Sequence, residues 1–293
     1  MNGIRTIHCP VDLTPITERN LRMAVEMCKR IGAKLIVHHN LDVRPPGYMS
    51  VAWMWSEDHE ADAEKKAAEV PEQLEQLIAQ IPEGIDYEAR ITRGPLEETV
   101  LFVARGLPAD LILMGTHGKS SAEHDSLTER IVIQAPCSVM TFGEGYSPEA
   151  VFDAPEKAPV EQMRFLVPVD FSHRSRDVLR MAFDLAEGMP HRVDLLHVVR
   201  PGHGTEQEER EVTAAEERLQ NLVPEAVAEQ IRVHARVGEV VEEILATAEK
   251  TDALCIVMGA HAKGMLKRFL FGTTTLSILH GAKCPVWFVP EGT

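Results

Sequence analysis

Residues 8–17 read HCPVDLTPIT and residues 166–175 read LVPVDFSHRS, so proline, valine and aspartate recur in one order at the end of two apolar runs. The pairing sets Asp12 against Asp170, 158 positions later, and each stretch opens one half of the chain. Repetition on this scale decides the fold before any single element does, because both repeats must build the same kind of core. A second match supports the first: LILMGTHG at 111–118 and CIVMGAHA at 255–262 align Gly115 with Gly259, 144 positions later. The spacing shrinks where the first half carries RPPGYMSVAWMWSEDHE (44–60) and the second only RPGHGTEQEE (200–209), so the first half holds an insertion. Val139 and Val286 then align 147 positions apart, which makes the second half's loop after its glycines three residues longer.

Between these landmarks, short apolar runs at 4–11, 34–38, 87–91, 110–114 and 138–142 alternate with longer amphipathic stretches such as 18–31. That alternation predicts βαβ units. Leu111 to Met114 and Leu254 to Met258 are apolar throughout, as strands covered on both faces of a parallel sheet must be. The predicted class is α/β: two tandem doubly wound, Rossmann-like domains, each with a five-stranded parallel sheet. Their expected bounds are 1–146 and 164–293, joined by a linker at 147–163 within a stretch rich in Pro, Ala and Glu. Pro71 inside the helical pattern of 61–81 predicts a kink or break near Val70.

Composition narrows the partners. Forty-five acidic against 30 basic side chains give a net charge of -15, spread over both halves, the wrong sign for neutralising phosphates along nucleic acid. No apolar stretch reaches the length of a membrane span, and the start MNGIRTIHCPVDLTP lacks a signal peptide's apolar core, so neither nucleic acid nor membrane is an expected partner and a cytoplasmic location is the default. The five cysteines are scattered and read as buried thiols. Among 13 histidines, His8, His38 and His39 beside Cys9, and His117 with His124, raise a metal reading, but no HExxH or Cys/His quartet is present and no metal site is assigned.

Ligands of open parallel sheets bind outside the carboxyl ends of the strands, where both matched motifs lie. The second half reads MGAHAKGMLKRFLFGTTTLSILH at 258–280. Gly259 and Gly272 would let backbone N–H groups approach phosphate oxygens, Thr273 and Thr274 add hydroxyl donors, and Lys263, Lys267 and Arg268 make the intervening loop positive. Glycines at tight turns, a Thr cap and solvated basic residues are the plain alternative. In the first half, Gly115 and Gly118 are followed by a shorter loop, and Asp125 stands where Gly272 stands, with Ser126 matching Thr273. A carboxylate about 4 Å from a phosphate costs between ~1 kcal/mol in water and ~4 kcal/mol near a protein surface, and Glu123 adds to it.

The ordered set of VDFS at 169–172, LLHVV at 195–199, the glycine loop and KCPVWFV at 283–289, echoed in the first half, resembles the universal stress protein family in its tandem two-domain form. Nucleotide-binding members of that family carry Gly, two residues, Gly, nine residues, then Gly with Ser or Thr. The resemblance implies ATP, with Mg²⁺ held through its phosphates, at Gly259, Ala262, Lys263, Gly272, Thr273 and Thr274. It puts Asp170 beside the adenosine and the Val198 backbone against adenine, with His39 taken as the first half's counterpart of Val198. Ala262 departs from the family's second glycine; at a position needing positive φ its methyl costs roughly 1–2 kcal/mol. The first-half set Asp12, Gly115, Gly118, Asp125 and Ser126 is expected to be degenerate. Asp12 and Asp170 also fit a local turn or helix cap.

Three function classes follow. The leading one is a cytoplasmic stress-response protein that binds adenine nucleotide in its C-terminal half and regulates or senses. The second is a protein-interaction or small-molecule module without nucleotide, and the third a slow ATP hydrolase. No GxSxG elbow, Walker loop or paired carboxylates mark catalysis, so no catalytic residue is assigned. The insertion at 44–56, with Tyr48, Met49, Trp53, Met54 and Trp55, reads as a cover over its own domain or between domains, a homodimer contact or an apolar ligand groove.

Overall fold

A computed structural model describes residues 3–13, 15–41, 57–116, 122–143, 146, 164–173, 175–188, 192–202, 204–260 and 272–291, with backbone alone for 15–17, 57–67, 122–126 and 188. The linker 147–163 and the aromatic insertion 44–56 lie outside the described residues. The chain forms two compact units, Ile4–Met114 and Gly115–Thr293, the latter joined by Met1–Gly3.

In the Ile4–Met114 unit, β1 (Thr6–Val11), α1 (Pro15–Ile31), β2 (Lys34–Leu41), α2 (Glu57–Ile78), β3 (Tyr87–Arg93), α3 (Leu96–Gly106) and β4 (Leu111–Gly115, whose last residue falls in the other unit) follow in order. The strands lie β3-β2-β1-β4. All three pairings are parallel, with Val11 opposite His39 and Asn40 opposite Thr92. Helix α1 forms because Leu21, Ala24, Val25 and Cys28 recur at helical spacing and bury one stripe. Gly32, at φ 69°, ends it by donating its N–H to the Cys28 carbonyl at 2.8 Å. Of the kink or break expected near Val70, the break is corrected: helix α2 continues through Pro71. Val70, Leu74 and Leu77 are buried while Pro71 is exposed, so the hydrogen bond that proline removes is lost on the solvent side and packing on the other face holds the helix.

The larger unit adds α4 (Ala122–Gln134), β5 (Ser138–Phe142), β6 (Arg164–Pro168), α5 (Ser175–Gly188), β7 (Arg192–Val199), α6 (Thr205–Leu222), β8 (Ile231–Val237), α7 (Val240–Lys250), β9 (Ala253–Gly259), α8 (Thr273–Gly281) and β10 (Val286–Val289). Its strands lie β5-β10-β9-β6-β7-β8. The class is α/β, and each half supplies five strands, but the sheet is parallel only in the main: β5 runs antiparallel to β10, with Val286 opposite Thr141. Both strands are buried along their length, Trp287 and Phe288 fully. Cys9, Cys28, Cys137 and Cys255 are buried thiols outside any disulfide and Cys284 is half-buried; burial pushes Cys28 up to about 12 and Cys284 to about 11, which leaves these two chemically quiet.

Candidate functional site

At the carboxyl end of β6 the chain must leave the sheet and start α5 within a few residues. Val169 donates its N–H to the Leu196 carbonyl at 2.8 Å, which keeps β6 and β7 together one residue past the strand. Asp170 then turns the chain. Its Oδ1 accepts from the Ser172 N–H at 2.9 Å and from the Ser175 hydroxyl at 2.6 Å, an Asx turn tied to the first residue of α5. The local role foreseen for Asp170 is therefore present, and the same exposed side chain also lines a cleft. Phe171 sits in the left-handed region at φ 58°, a conformation that costs a non-glycine residue about 1–2 kcal/mol. Its ring offsets that cost by lying 4.5 Å from the His197 ring, with the Arg218 guanidinium 4.1 Å from its centroid. His197 Nδ1 donates to the Val169 carbonyl at 2.7 Å, which fixes the imidazole tautomer.

The cleft holds about 550 Å³. Its floor and walls are apolar, from Val169, Leu196, Val198, Met258 and, on α7, Val240 and Ile244. Polar groups converge from Asp170 on one side and from Gly272, Thr274 and Thr275 at the start of α8 on the other. Gly272 is the N-cap of α8 at φ -62° and ψ 140°, and among the described residues no side chain caps the helix. Those angles suit any residue, and among the described residues an added Cβ would meet Thr275 Oγ1 at 3.8 Å, so the backbone does not demand glycine there. What glycine provides is the absence of a side chain over the first N–H groups of α8, where the helix dipole favours an anion.

Of the residues singled out from sequence, Asp170, Val198, Gly259, Gly272 and Thr274 line one cleft, Thr273 is exposed at the first position of α8, and Ala262 and Lys263 lie outside the described residues. The α7 residues, Met258 and Thr275 were missed. The signal for Met258 and Thr275 was adjacency to Gly259 and Thr274; α7 had none, since its approach is set by packing.

The first half needs two corrections. In the parallel register Val11 lies opposite His39, and His39 Nδ1 bonds the Val11 carbonyl at 2.8 Å, so His39 matches His197 and the residue matching Val198 is Asn40. A one-residue slip sends a side chain to the other face of the sheet, which is why the distinction matters. Second, α4 begins at Ala122, so Asp125 and Ser126 lie inside its first turns rather than at its mouth. Ala and Glu open a helix readily where the second half has a glycine. Gly118 and the side chains of Asp125 and Ser126 lie outside the described residues, Gly115 ends β4, and Asp12 is exposed before Leu13, which takes φ 61°.

Beside that turn the first half carries a buried polar chain. His8 Nε2 and His38 Nδ1 are 3.0 Å apart, His38 Nε2 meets Thr92 Oγ1 at 2.7 Å, Thr92 donates to Asn40 Oδ1 at 2.9 Å, and Asn40 Nδ2 donates to the Gly94 carbonyl at 2.9 Å. Burial, and then His38, hold His8 well below the ordinary imidazole range; burial and His39 bring His38 down to about 4. Among the described residues no group of three or more His, Cys, Asp or Glu is placed to hold a metal ion, and no helix is long and apolar enough to cross a membrane.

A family model described as "Universal stress protein family" matches residues 3–142 and 163–290. A universal stress protein of Mycobacterium tuberculosis is 27% identical over 192 residues, 61% of this chain and 61% of the relative, so the match spans less than two thirds of that protein. The crystal structure of a universal stress protein from Archaeoglobus fulgidus superposes with a TM-score of 0.68 at 18% identity, over 98% of this chain and 96% of that one, a likeness of fold. A second Archaeoglobus fulgidus universal stress protein, in complex with dAMP, is 24% identical with a TM-score of 0.36 and covers 43% of this chain and 97% of that one.

Proposed function

Since the chain belongs to the universal stress protein family, we propose that the cleft at the carboxyl ends of β6, β7 and β9 binds an adenine nucleotide and that occupancy is the signal of a cytoplasmic stress-response regulator. The observation that carries the reading is the start of α8, capped by no side chain among the described residues and with Gly272 bare, opening on the same cleft as Asp170 and Val198. A volume of about 550 Å³ falls in the ordinary range for small-ligand sites. Adenine lies on the apolar wall of Leu196, Val198 and Ile244; Asp170, already organised by Ser172 and Ser175, accepts from the ribose; the phosphates take the N–H groups of Thr273 and Thr274. Lys263 and the basic loop residues add charge, and Mg²⁺ enters with the phosphates. The family resemblance of the glycine loop supports this assignment, as does the repeat at 163–290 being the one that keeps Gly272.

Chemistry beyond binding is slow in this reading, because phosphoryl transfer needs a placed nucleophile as well as a cradle. Asp170 directs its Oδ1 at its own turn, a poor station for a base that must orient water. The test is calorimetric titration of the full chain with ATP, backed by mass spectrometry of nucleotide released from gently purified protein. ATP at roughly 100 times its Kd adds about 2.7 kcal/mol of stability. A Kd weaker than about 1 mM for ATP, ADP and AMP alike overturns the reading; single turnover at about 1 s⁻¹ or faster makes the protein an enzyme.

A further inference from the structure

The sheet of the Ile4–Met114 unit ends in an edge strand, β3, which pairs with β2 alone among the described residues. Five of its seven residues are exposed, and Tyr87 and Ile91 each keep 42% of their surface in solvent. The edge strand of the larger unit is covered: β8 packs against α6, and Arg232 is its one exposed residue. An edge strand presents unpaired N–H and C=O groups, which proteins usually guard with a proline, a bulge, a cover or charges that repel a second strand. Strand β3 has no proline, and its register on β2 runs unbroken from Tyr87 opposite Leu35 to Arg93 opposite Leu41. Two printed ends of the ladder fix which backbone groups face outward. Leu35 donates its N–H to the Asp86 carbonyl at 2.8 Å, and Gly94 donates to the Leu41 carbonyl at 3.3 Å. A ladder engages every second residue of a strand, so 86, 88, 90, 92 and 94 bond to β2, and Tyr87, Ala89, Ile91 and Arg93 turn their N–H and C=O groups away from it.

The charges on this edge carry both signs and are complementary to themselves. Tyr87, Ala89 and Ile91 share one face of the strand; Glu88 and Arg90 share the other, where Glu88 bonds Lys34 at 2.8 Å and contacts Arg90. An antiparallel copy of β3 bonds through the residues whose backbone groups face outward. With the two-fold axis at Ala89, Tyr87 stands opposite Ile91 of the second copy in a bonded pair, an aromatic on a β-branched side chain. Glu88 then stands opposite Arg90 of the second copy in the unbonded pair between, where facing side chains are closest. Symmetry makes each contact twice. An axis at Glu88 would set carboxylate on carboxylate, and one at Arg90 guanidinium on guanidinium, so the signs of two charges select one register. We infer that β3 docks a second copy of this chain, antiparallel about Ala89. The inference stands apart from the nucleotide reading, since no residue of the cleft enters it.

The experiment is sedimentation velocity of the full chain between about 1 and 200 µM, at about 0.15 M salt to screen the repulsion between two acidic copies. The chain passes from monomer to dimer within that range. Ala89→Pro removes the donor at the axis while leaving the ladder to β2 whole, as proline on an outward edge position does, and weakens the dimer tenfold or more. Arg90→Glu sets like charges opposite one another and does the same, as does Glu88→Arg. Mixed in equal amounts, the Arg90→Glu and Glu88→Arg chains pair with each other, because every facing pair again carries opposite signs. Phe102→Ser, which removes the exposed ring of α3, leaves the dimer intact. Thermal melting of each variant confirms that it folds. A chain that stays monomeric at about 200 µM overturns the inference and leaves this edge to a segment of its own chain or to a different protein. A dimer that survives Ala89→Pro and Arg90→Glu lies on another surface and overturns it as well, and failure of the two charge variants to pair overturns the register about Ala89.

Discussion

The turn after β1 and the turn after β6 are built on one device and surrounded differently. In each, a histidine on the next strand donates Nδ1 to the carbonyl before the aspartate, His39 to Val11 at 2.8 Å and His197 to Val169 at 2.7 Å. In each, the residue after the aspartate takes the left-handed conformation, Leu13 at 61° and Phe171 at 58°. The positions around the device then diverge. His8, His38 and Asn40 of the first half match Leu166, Leu196 and Val198 of the second, so a self-satisfied polar chain replaces an apolar wall. A backbone-directed bond preserves the turn whatever the neighbours are, whereas the neighbours decide whether the strand end bonds to itself or offers surface to a ligand.

The sharpest way to break this contrast is at the helix mouth. Gly272→Asp places a carboxylate over the start of α8 and is expected to weaken ATP binding more than about 100-fold, near 2.7 kcal/mol, while aspartate as an N-cap changes fold stability by only a few tenths of a kcal/mol. Asp125→Ala, inside α4, leaves the affinity within about twofold on the same scale. Calorimetry and thermal melting separate the two quantities. Equal losses from both substitutions would erase the asymmetry between the halves.

The histidine pair predicts a pH effect confined to the first half. Unfolded histidines protonate near 6.5, whereas buried His38 does so only near 4 and burial also holds His8 well below the ordinary range, so the unfolded state holds more protons in between and stability falls as pH drops from about 6.5 towards 4. His38 alone accounts for an effect on the order of 3 kcal/mol by pH 4. Melting curves of His8→Leu with His38→Leu, the pair that mirrors Leu166 and Leu196, are expected to lose most of that slope. A slope like that of the unsubstituted chain would place the acid sensitivity elsewhere.

Smaller effects test the rest of the contrast. Asn40→Val strips partners from Thr92 and the Gly94 carbonyl and is expected to cost about 1–3 kcal/mol in urea unfolding, with no change in ATP affinity. Phe171→Leu copies the first half's Leu13 and removes the stack under Arg218, a loss of about 0.5–1 kcal/mol that leaves the cleft formed. A loss of several kcal/mol would mean that the ring, rather than the His197 bond, holds the turn.

Much of this was legible in the chain because it follows from local spacing. The repeats at Asp12 and Asp170 and at Gly115 and Gly259 mark strand ends, and unbroken apolar runs such as Leu111 to Met114 mark strands covered on both faces. The lining of the cleft was legible at Gly259, Gly272 and Thr274. The first half was misread where the reading hung on one residue of register, as with His39 for Val198, or on the first residue of a helix, as with Asp125, since neither is fixed by composition.

The sequence by itself determined the duplication, the order of strands and helices in each half and the positions where a ligand could approach, because periodic burial and turn chemistry act over a few neighbouring residues. Only the tertiary structure decided that β5 runs antiparallel on β10, that α7 walls the cleft and that Asn40 ties itself to Gly94. Each of those rests on groups far apart in the chain meeting or failing to meet, and no local pattern records which distant partner a group will find.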